Sequence, residues 1–385
     1  MSAFSLQNLW KSITGSISSG NSGKSVLGID IGSSSIKIVQ LRSQKGSAIL
    51  ETYGEIALGP YSGVAVGKAT KLPVDKTATA LTDLMKEANV TSKICGVSIP
   101  FSASLISILD LPKSDDEQLR RMIPIEARKY IPVPVSEVLL DWYVIPPHEK
   151  DLDAFDRIDK ETVMQQRGQE VLLAAIHNET LRAYQSIMEA AGLGVSFFEI
   201  EIFSVIRSSL SRGMAPIAIV DMGASTTKIY VVEQGVVRLT HLLNVGAQQM
   251  TESLGRALEW SFEKAERMKR EVGLNDSQTY ARAENERMHE TMMSNLTRIF
   301  VETNRVLVSY GKRYNRNVSH VVFTGGGAAL PGLTRAAKES LHAEVESAHP
   351  FGKVEAPAFL EEVLRSIGPG FAVAVGVALR KLTSE

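Results

Sequence analysis

A short pattern suited to phosphate binding occurs twice in this chain of 385 residues. One copy runs from Asp30 to Ile38 and the other from Asp221 to Ile229. Counted from the aspartate, both have glycine at +2, serine at +4, a hydroxyl residue at +5, lysine at +7 and isoleucine at +8. The glycine permits a tight turn that presents backbone N–H groups to an anion, and the hydroxyl groups add hydrogen-bond donors. The aspartate can hold a hydrated divalent cation.

Each copy of this pattern follows one apolar run and returns to another, which predicts a β-hairpin made of strand, tight turn and strand. A single Asp-x-Gly is common at strand ends and, taken alone, is typical of an ordinary turn. Two matching copies about half a chain apart favour two similar domains that close on one triphosphate from opposite sides.

Two further glycine-rich stretches differ in what they predict. The triple glycine at 325–327 follows an apolar strand candidate, and consecutive glycines let the backbone approach a flat ligand such as a nucleoside. Residues 20–25, by contrast, end like a P-loop, but position 18 is serine where that motif needs glycine, and a strand follows the stretch instead of preceding it. We therefore interpret residues 16–25 as a flexible linker.

The composition is that of a soluble globular protein, with 44% hydrophobic residues, 22% charged residues and a formal net charge of −1. This balance gives no sign of binding to nucleic acid or to an anionic membrane. The single cysteine, Cys95, excludes an internal disulfide framework, is typical of a reducing cytoplasm, and has the apolar neighbours of a buried thiol. We expect neither a membrane span nor a secretory signal. Residues 4–17 are either a short amphipathic helix or a mobile tail.

Periodicity and turn signals divide the chain into two α/β halves, each with an insertion. Residues 101–175 are expected to form an inserted subdomain that contains a solvent-exposed charged stretch from His148 to Arg167. In the helix expected from Asp115 to Tyr130, Pro124 should introduce a kink or mark the true start. Further helices are expected over Asn178–Ala191 with an asparagine cap, Gln248–Val272, Asp276–Lys312 and Gly370–Lys381.

The two Asp-x-Gly turns and the triple glycine, in this order, resemble the actin-like ATPase superfamily. That resemblance implies an α/β fold of two lobes, the ribonuclease H-like fold of actin, around a nucleotide cleft. The phosphate 1, connect 1, phosphate 2, adenosine and connect 2 segments of the superfamily correspond to residues 28–37, 199–210, 219–228, 324–328 and 370–379.

Three segments are similar to one family within this superfamily, the PilM type IV pilus assembly proteins. They are Leu27–Lys37, Ile125–Pro132 and Gly246–Lys269, and the similarity extends over the chain from residue 26 onward. PilM proteins resemble FtsA, and both families have a 1C (SHS2) subdomain inserted in place of the 1B subdomain of actin. The resemblance implies a tail at 1–25, subdomain 1A at 26–100 and 176–213, 1C at 101–175, 2A at 214–246 and 320–385, and 2B at 247–319.

The same resemblance assigns residues to ATP and Mg²⁺. The residues expected to bind the nucleotide are Asp30, Gly32, Ser33, Ser34, Ser35, Lys37, Asp221, Gly223, Ala224, Ser225, Thr226, Glu266, Lys269, Gly325, Gly326 and Gly327. Asp30 and Asp221 are also expected to hold Mg²⁺ through water. Glu199 is the candidate that orients an attacking water and Glu201 is its alternative, although both acids could instead favour the start of the following helix. We expect ATP–Mg binding with slow or absent hydrolysis.

For function, the resemblance implies a cytoplasmic scaffold that binds the N-terminal cytoplasmic peptide of the inner-membrane protein PilN in a groove between 1A and 1C. It also implies a ring beneath the membrane that links the PilN/PilO alignment complex to the pilus motor. Two other functions stay open. One is a FtsA-like membrane-associated division scaffold, which needs an amphipathic end. The other is an actin-like small-molecule kinase, which needs an acid–base pocket that the sequence does not reveal.

Overall fold

The computed structural model describes residues 23–146, 168–211, 213, 215–278 and 280–383. The interpretations of residues 1–22 and of the charged stretch from 148 to 167 therefore lie outside the described residues. The strands are β1 (Ser25–Ile31), β2 (Ser35–Gln44), β3 (Ser47–Ala57), β4 (Ile94–Ile99), β5 (Ser104–Leu111), β6 (Val138–Val144), β7 (Gln169–His177), β8 (Gly194–Ile200), β9 (Ile217–Met222), β10 (Thr227–Glu233), β11 (Val236–Leu243), β12 (His320–Thr324) and β13 (Glu344–Ser347). The α-helices are α1 (Val74–Glu87), α2 (Asp116–Ala127), α3 (Asn178–Ala190), α4 (Glu201–Ser209), α5 (Ala247–Leu258), α6 (Phe262–Glu271), α7 (Arg282–Tyr314), α8 (Leu333–Ser340) and α9 (Glu361–Thr383).

Two five-stranded sheets repeat one topology. The first has the strand order β3-β2-β1-β4-β8 and the second has the order β11-β10-β9-β12-β13. In each sheet the central strand pairs antiparallel with the second strand of its hairpin and parallel with the strand on its other side. The two hairpins predicted from the repeated pattern are β1–β2 and β9–β10, and they occupy equivalent positions in the two sheets.

A third sheet shares no strand with these two, although one of its faces packs into the core of the first half. It has the order β5-β7-β6 with antiparallel pairing, and α2 covers it. Apolar side chains of α2 such as Leu119 and Ile123 pack with Leu173 of β7 in a cluster of their own. A local core of this kind allows the segment inserted between β4 and α3 to act as a separate subdomain.

Helices α4 and α9 cross behind the two sheets at very short range. A β-carbon added to Gly376 of α9 would overlap the backbone carbonyl of Ser204 in α4, and one added to Gly28 of β1 would overlap the carbonyl of Ala374. Glycine at these two positions is therefore required by backbone packed against backbone. Helix α4 and residues 368–380 of α9 are almost wholly buried, so the crossing forms the structural centre of the molecule.

Helix α9 also has the length and composition of a membrane span. Within residues 358–383, an 18-residue window has a mean hydropathy of 1.4, but 67% of that window is buried within the protein. Its apolar residues Phe371, Ala374 and Leu379 contribute to the core beside β1 and β2. The helix therefore has the environment of a core element of the fold.

Several helix predictions differ in detail from the structure. Helix α2 begins at Asp116 under a capping box formed by Asp115 and Gln118, so Pro124 lies inside the helix and does not mark its start. Helix α3 begins at Asn178 itself, and the cap position is His177. The Asn178 side chain donates to the Ser136 carbonyl instead, at 3.0 Å.

The helix expected over 248–272 is in fact two helices. Helix α5 ends at Leu258, and the next residue, Glu259, adopts a left-handed conformation with φ of 54°. Ser261 then caps α6 by accepting a hydrogen bond from the Lys264 N–H. The last helix begins at Glu361, nine residues before the expected start, and it continues through Pro369. Cys95 is fully buried as expected.

Candidate functional site

The two hairpin turns have the same geometry and face each other. In each, the Asp and the Lys of the pattern are direct partners across the antiparallel ladder, Asp30 with Lys37 and Asp221 with Lys228. The Gly32 N–H donates to the Ser35 carbonyl at 3.0 Å, and its counterpart Gly223 donates to Thr226 at 2.9 Å. The same hydrogen bond therefore closes both turns.

The loops of the two hairpins meet across a cleft. The Ser225 hydroxyl donates to the Ser33 hydroxyl at 3.2 Å, which joins the first loop directly to the second. A second contact joins the same two halves, because the Ala69 N–H donates to the Gln248 side-chain oxygen at 2.6 Å. Donors from both halves therefore converge on one space, as the repeated pattern predicts.

A cavity of about 1220 Å³ lies between the loops. Its wall contains all sixteen residues that were predicted to bind a nucleotide: Asp30, Gly32, Ser33, Ser34, Ser35, Lys37, Asp221, Gly223, Ala224, Ser225, Thr226, Glu266, Lys269, Gly325, Gly326 and Gly327. Residues from β1, β9, α6 and the loop after β12 are thus brought together from distant parts of the chain. A cavity of this size is ample for a nucleotide.

The triple glycine forms the side of the cavity that faces β9. Gly325 has φ of 84°, and a β-carbon there would overlap the Asp221 carboxylate, so this position needs glycine for both reasons. Gly326 has open space where a side chain would stand. The Gly325 N–H donates to the Pro369 carbonyl at 2.8 Å, which fixes the loop on α9.

In another part of the cavity wall, Glu266 and Lys269 form a buried ion pair on α6. The Lys269 ammonium lies 2.6 Å from the Glu266 carboxylate and 2.8 Å from the Thr251 hydroxyl. Burial lowers the pKa of Lys269, and the neighbouring glutamate opposes that shift. A β-carbon on Gly67 would lie 2.7 Å from Glu266, so the backbone of the first half passes directly over this pair.

The two pattern lysines have different partners. Lys37 contacts the Ser35 hydroxyl at 2.9 Å and the half-exposed Glu55 at 3.1 Å. Lys228 contacts two buried carboxylates, Asp221 at 2.9 Å and Glu201 at 2.8 Å. The sequence pattern contains both lysines, but only Lys37 was predicted as a site residue.

Two further carboxyl groups line the cleft beside Asp221. Asp30 accepts a hydrogen bond from Ser98 at 3.0 Å, and burial raises its pKa against the lowering effect of Lys37 and Lys228. Burial likewise raises the pKa of Glu201, with Lys228 opposing it. The two oxygens of Glu201 are both engaged, one by Lys228 and the other by the Phe101 N–H at 2.6 Å.

Glu199, the first catalytic candidate, does not line this cavity. Its carboxylate is fully buried behind the cleft, 2.6 and 2.8 Å from the Arg207 guanidinium and 3.3 Å from Arg380. The Ser204 hydroxyl donates to it as well. Burial acts to raise the pKa of Glu199, but the two arginines outweigh it and the pKa is lowered. Of the two acids considered, Glu201 is therefore the one at the cleft.

Comparison with known proteins agrees with this architecture. A family model described as "Type IV pilus assembly protein PilM" matches residues 28–382. A chain of the solved PilM-PilN type IV pilus biogenesis complex is similar, with a TM-score of 0.75 and 22% identity over 93% of this chain and 98% of that one. MreB5 of Spiroplasma citri bound to AMPPNP has a TM-score of 0.50 and 11% identity over 92% and 95% of the two chains.

Curated relatives point to the same superfamily. The cell division protein FtsA of Bacillus subtilis is 22% identical over 365 residues, which is 86% of this chain and 80% of that protein. FtsA of Streptococcus pneumoniae is 23% identical over 344 residues. Together these likenesses establish the two-lobed actin-like α/β fold that the residue pattern predicts.

Proposed function

The chain belongs to the PilM family of type IV pilus assembly proteins, and from this premise we propose that it is a nucleotide-binding scaffold on the cytoplasmic face of a pilus machine. The observation that carries the proposal is the family match over residues 28–382, which includes every residue of the cleft described above. In this role the chain binds the N-terminal cytoplasmic peptide of PilN and reaches the inner membrane through that partner.

The donor set of the cleft fits ATP. Two glycine turns, the hydroxyls of Ser33 and Ser225 and the ammonium of Lys37 converge where phosphates would be held. The open space at Gly326 and the buried pair on α6 suit the nucleoside end. We assign the sixteen cavity residues to ATP on this basis.

Mg²⁺ fits one side of the cleft better than the other. The Asp30 carboxylate has a hydroxyl donor but no ion pair within 4.0 Å among the described residues, so it is available to a hydrated cation. Asp221 is already paired with Lys228. When bound, Mg²⁺ neutralises phosphate charge. We therefore assign Asp30, with Asp221 as the second residue, to hold the hydrated ion.

Slow hydrolysis follows from the surroundings of Glu201. A residue that orients an attacking water must be able to turn one of its oxygens toward that water. Both Glu201 oxygens accept strong hydrogen bonds from Lys228 and the Phe101 N–H. We propose that Glu201 is the residue nearest to a catalytic role and that these contacts keep turnover slow.

Substituting the two hairpin aspartates should abolish tight ATP–Mg binding. Asp30→Ala and Asp221→Ala each remove a carboxylate that lines the phosphate region, and we expect calorimetry to show at least about tenfold weaker binding. Asp110→Ala, at an ion pair whose aspartate side chain is 74% exposed, is the matched control and should bind normally. Unchanged affinity in both cleft variants would contradict the assignment of the two loops to phosphate.

The inserted subdomain is joined to the cleft by a direct contact. A short turn at Phe101–Ala103 links β4 of the first sheet to β5 of the third, and its first N–H donates to Glu201. The cavity wall also extends to Ser102, Ala103 and Ala183 at this junction. We assign the third sheet and α2 to subdomain 1C, and we propose that the PilN peptide binds between 1A and 1C with an affinity that depends on the nucleotide.

The remaining parts of the proposal rest on family membership. They are the subdomain boundaries 1A (26–100 and 176–213), 1C (101–175), 2A (214–246 and 320–385) and 2B (247–319), the self-association into a ring, and the link from the PilN/PilO complex to the motor. A FtsA-like division scaffold is the second candidate, supported by the curated relatives at 22–23% identity.

Calorimetry with the PilN peptide tests the proposal. The N-terminal cytoplasmic peptide of PilN from the same genome should bind the full chain with one site, and ATP–Mg should change its affinity. A scrambled peptide of the same composition is the control. If the peptide binds with an affinity that does not respond to nucleotide, the proposed coupling is wrong but the scaffold role stands. If the peptide does not bind in either state, the FtsA-like alternative is favoured.

A further inference from the structure

The repeated hairpin offers an internal comparison that isolates one residue. Both copies place a lysine directly across the ladder from the aspartate, so the backbone gives the two lysines equivalent starting points. Lys37 reaches one half-exposed glutamate, Glu55, whose side chain is 42% exposed. Lys228 reaches two carboxylates that are 5% and 10% exposed. The difference therefore lies in what surrounds each ammonium group.

Lys228 stands in the position that a cation would otherwise take. Asp221 and Glu201 present carboxylate oxygens to one point inside the cleft, and paired buried carboxylates are a typical environment for a hard divalent cation. Two carboxylates that share one partner in a buried site also repel each other strongly. The Lys228 ammonium lies within 2.9 Å of both groups and balances one of the two charges directly.

The surrounding residues are consistent with an ammonium in that place. Among the residues that the structure describes, no group of three or more His, Cys, Asp or Glu side chains is arranged to hold a metal ion. The Lys228 side chain is itself only 12% exposed, and both of its ion-pair partners are buried carboxylates.

We propose that Lys228 is the resident counter-cation of the cleft, and that it prevents a divalent cation from occupying the Asp221–Glu201 pair before a nucleotide is bound. This role of Lys228 rests on the function proposed above, in which the cleft binds a nucleotide. A cation then enters together with the nucleotide, and it enters on the Asp30 side. The residue thereby sets the order in which the ligands bind.

The test uses nucleotide-free, full-length protein and Mn²⁺ as the probe, with binding measured by calorimetry and by electron paramagnetic resonance. Wild type should show no stoichiometric site. Lys228→Gln should gain one Mn²⁺ site per chain, at least about tenfold tighter than any binding by wild type, because removing the ammonium exposes two carboxylates to the ion. Lys228→Arg keeps the positive charge and should resemble wild type.

Lys37→Gln is the matched control from the equivalent position of the first hairpin. It should change Mn²⁺ affinity by less than about threefold, since Lys37 contacts only one carboxylate. An equal gain in Lys37→Gln, or no gain in Lys228→Gln, would overturn the proposal. Mn²⁺ should also raise the melting temperature of Lys228→Gln and leave that of wild type unchanged.

A second variant keeps the proposal testable if Lys228→Gln folds poorly. Lys228→Gln combined with Glu201→Gln removes one carboxylate along with the ammonium, so it should regain the melting temperature lost by the single variant and should gain no Mn²⁺ site. Failure of the double variant to recover would count against a counter-cation role. Because neither nucleotide nor PilN peptide is present, these results are independent of whether the proposed function holds.

Discussion

We expect Glu199→Gln to lower the free energy of unfolding by about 3–5 kcal/mol, because the substitution leaves two buried guanidinium groups without the carboxylate they share. Glu199 is fully buried and lies within 3.3 Å of both Arg207 and Arg380. Chemical denaturation at pH 7, followed by circular dichroism, measures the effect. Nucleotide affinity should change much less than stability, since the side chain is outside the cleft.

A surface ion pair gives the matched control for this substitution. Glu361 pairs with Arg365 one turn along α9, and their side chains are 66% and 68% exposed. Glu361→Gln should cost less than about 0.5 kcal/mol, as exposed pairs within a helix usually do. A loss of under about 1 kcal/mol in Glu199→Gln would mean that the buried network is not the stabilising element that its geometry indicates.

The stability lost in Glu199→Gln should depend on pH in a defined way. The folded-state pKa of Glu199 is lowered, so its stabilising contribution is complete above the unfolded-state pKa of about 4.3 and is lost as the pH falls through the folded-state pKa. The stability difference between wild type and Glu199→Gln should therefore be constant near neutral pH and shrink below about pH 4. A difference that grew on acidification would contradict the assignment.

Gly376→Ala is the second substitution expected to have a large effect. The added methyl group would overlap the Ser204 carbonyl, and neither backbone can move without separating α4 from α9. We expect a loss of about 3 kcal/mol or more, or failure to fold, which is the upper range for overpacking in a core. Thermal unfolding of the purified variant measures it directly.

Gly311→Ala is the matched control for that result. Gly311 lies in α7, where a β-carbon would meet its nearest neighbour at an ordinary 3.6 Å. Alanine stabilises a helix interior relative to glycine, so this variant should be more stable by about 0.5–1 kcal/mol. Similar losses in both variants would indicate that the helix crossing tolerates separation.

The cavity that collects the predicted residues could be anticipated from the sequence because most of its geometry is local. A hairpin turn fixes the relation of Asp30 to Lys37 within a few residues, and the second copy repeats it at Asp221. The convergence of the two copies follows from the duplicated topology. The partners of Glu199 could not be predicted in the same way, because Arg380 lies on a helix 181 residues away and no local pattern joins them.

Helix boundaries show the same limit. The break between α5 and α6 occurs at Glu259, a residue type with no preference for the left-handed backbone, and Trp260 then packs against Tyr280 and Lys264. Tertiary packing there decides the conformation. At Pro369 the reverse is seen, because a residue that normally ends helices lies within α9. Its carbonyl accepts hydrogen bonds from the Gly325 N–H and the Thr324 hydroxyl.

The two halves of the molecule are joined by different kinds of contact at the front and at the back of the cleft. At the back, Gly376 lets α9 and α4 interlock backbone against backbone. At the front, individual hydrogen bonds join the halves at Ser33–Ser225 and Ala69–Gln248, each worth about 0.5–1.5 kcal/mol. The crossing of α4 and α9 is therefore the rigid connection between the halves, and the hydrogen bonds at the front are the weak one. Binding of a ligand would then change the angle between the two halves and leave the packing of α9 on α4 unchanged.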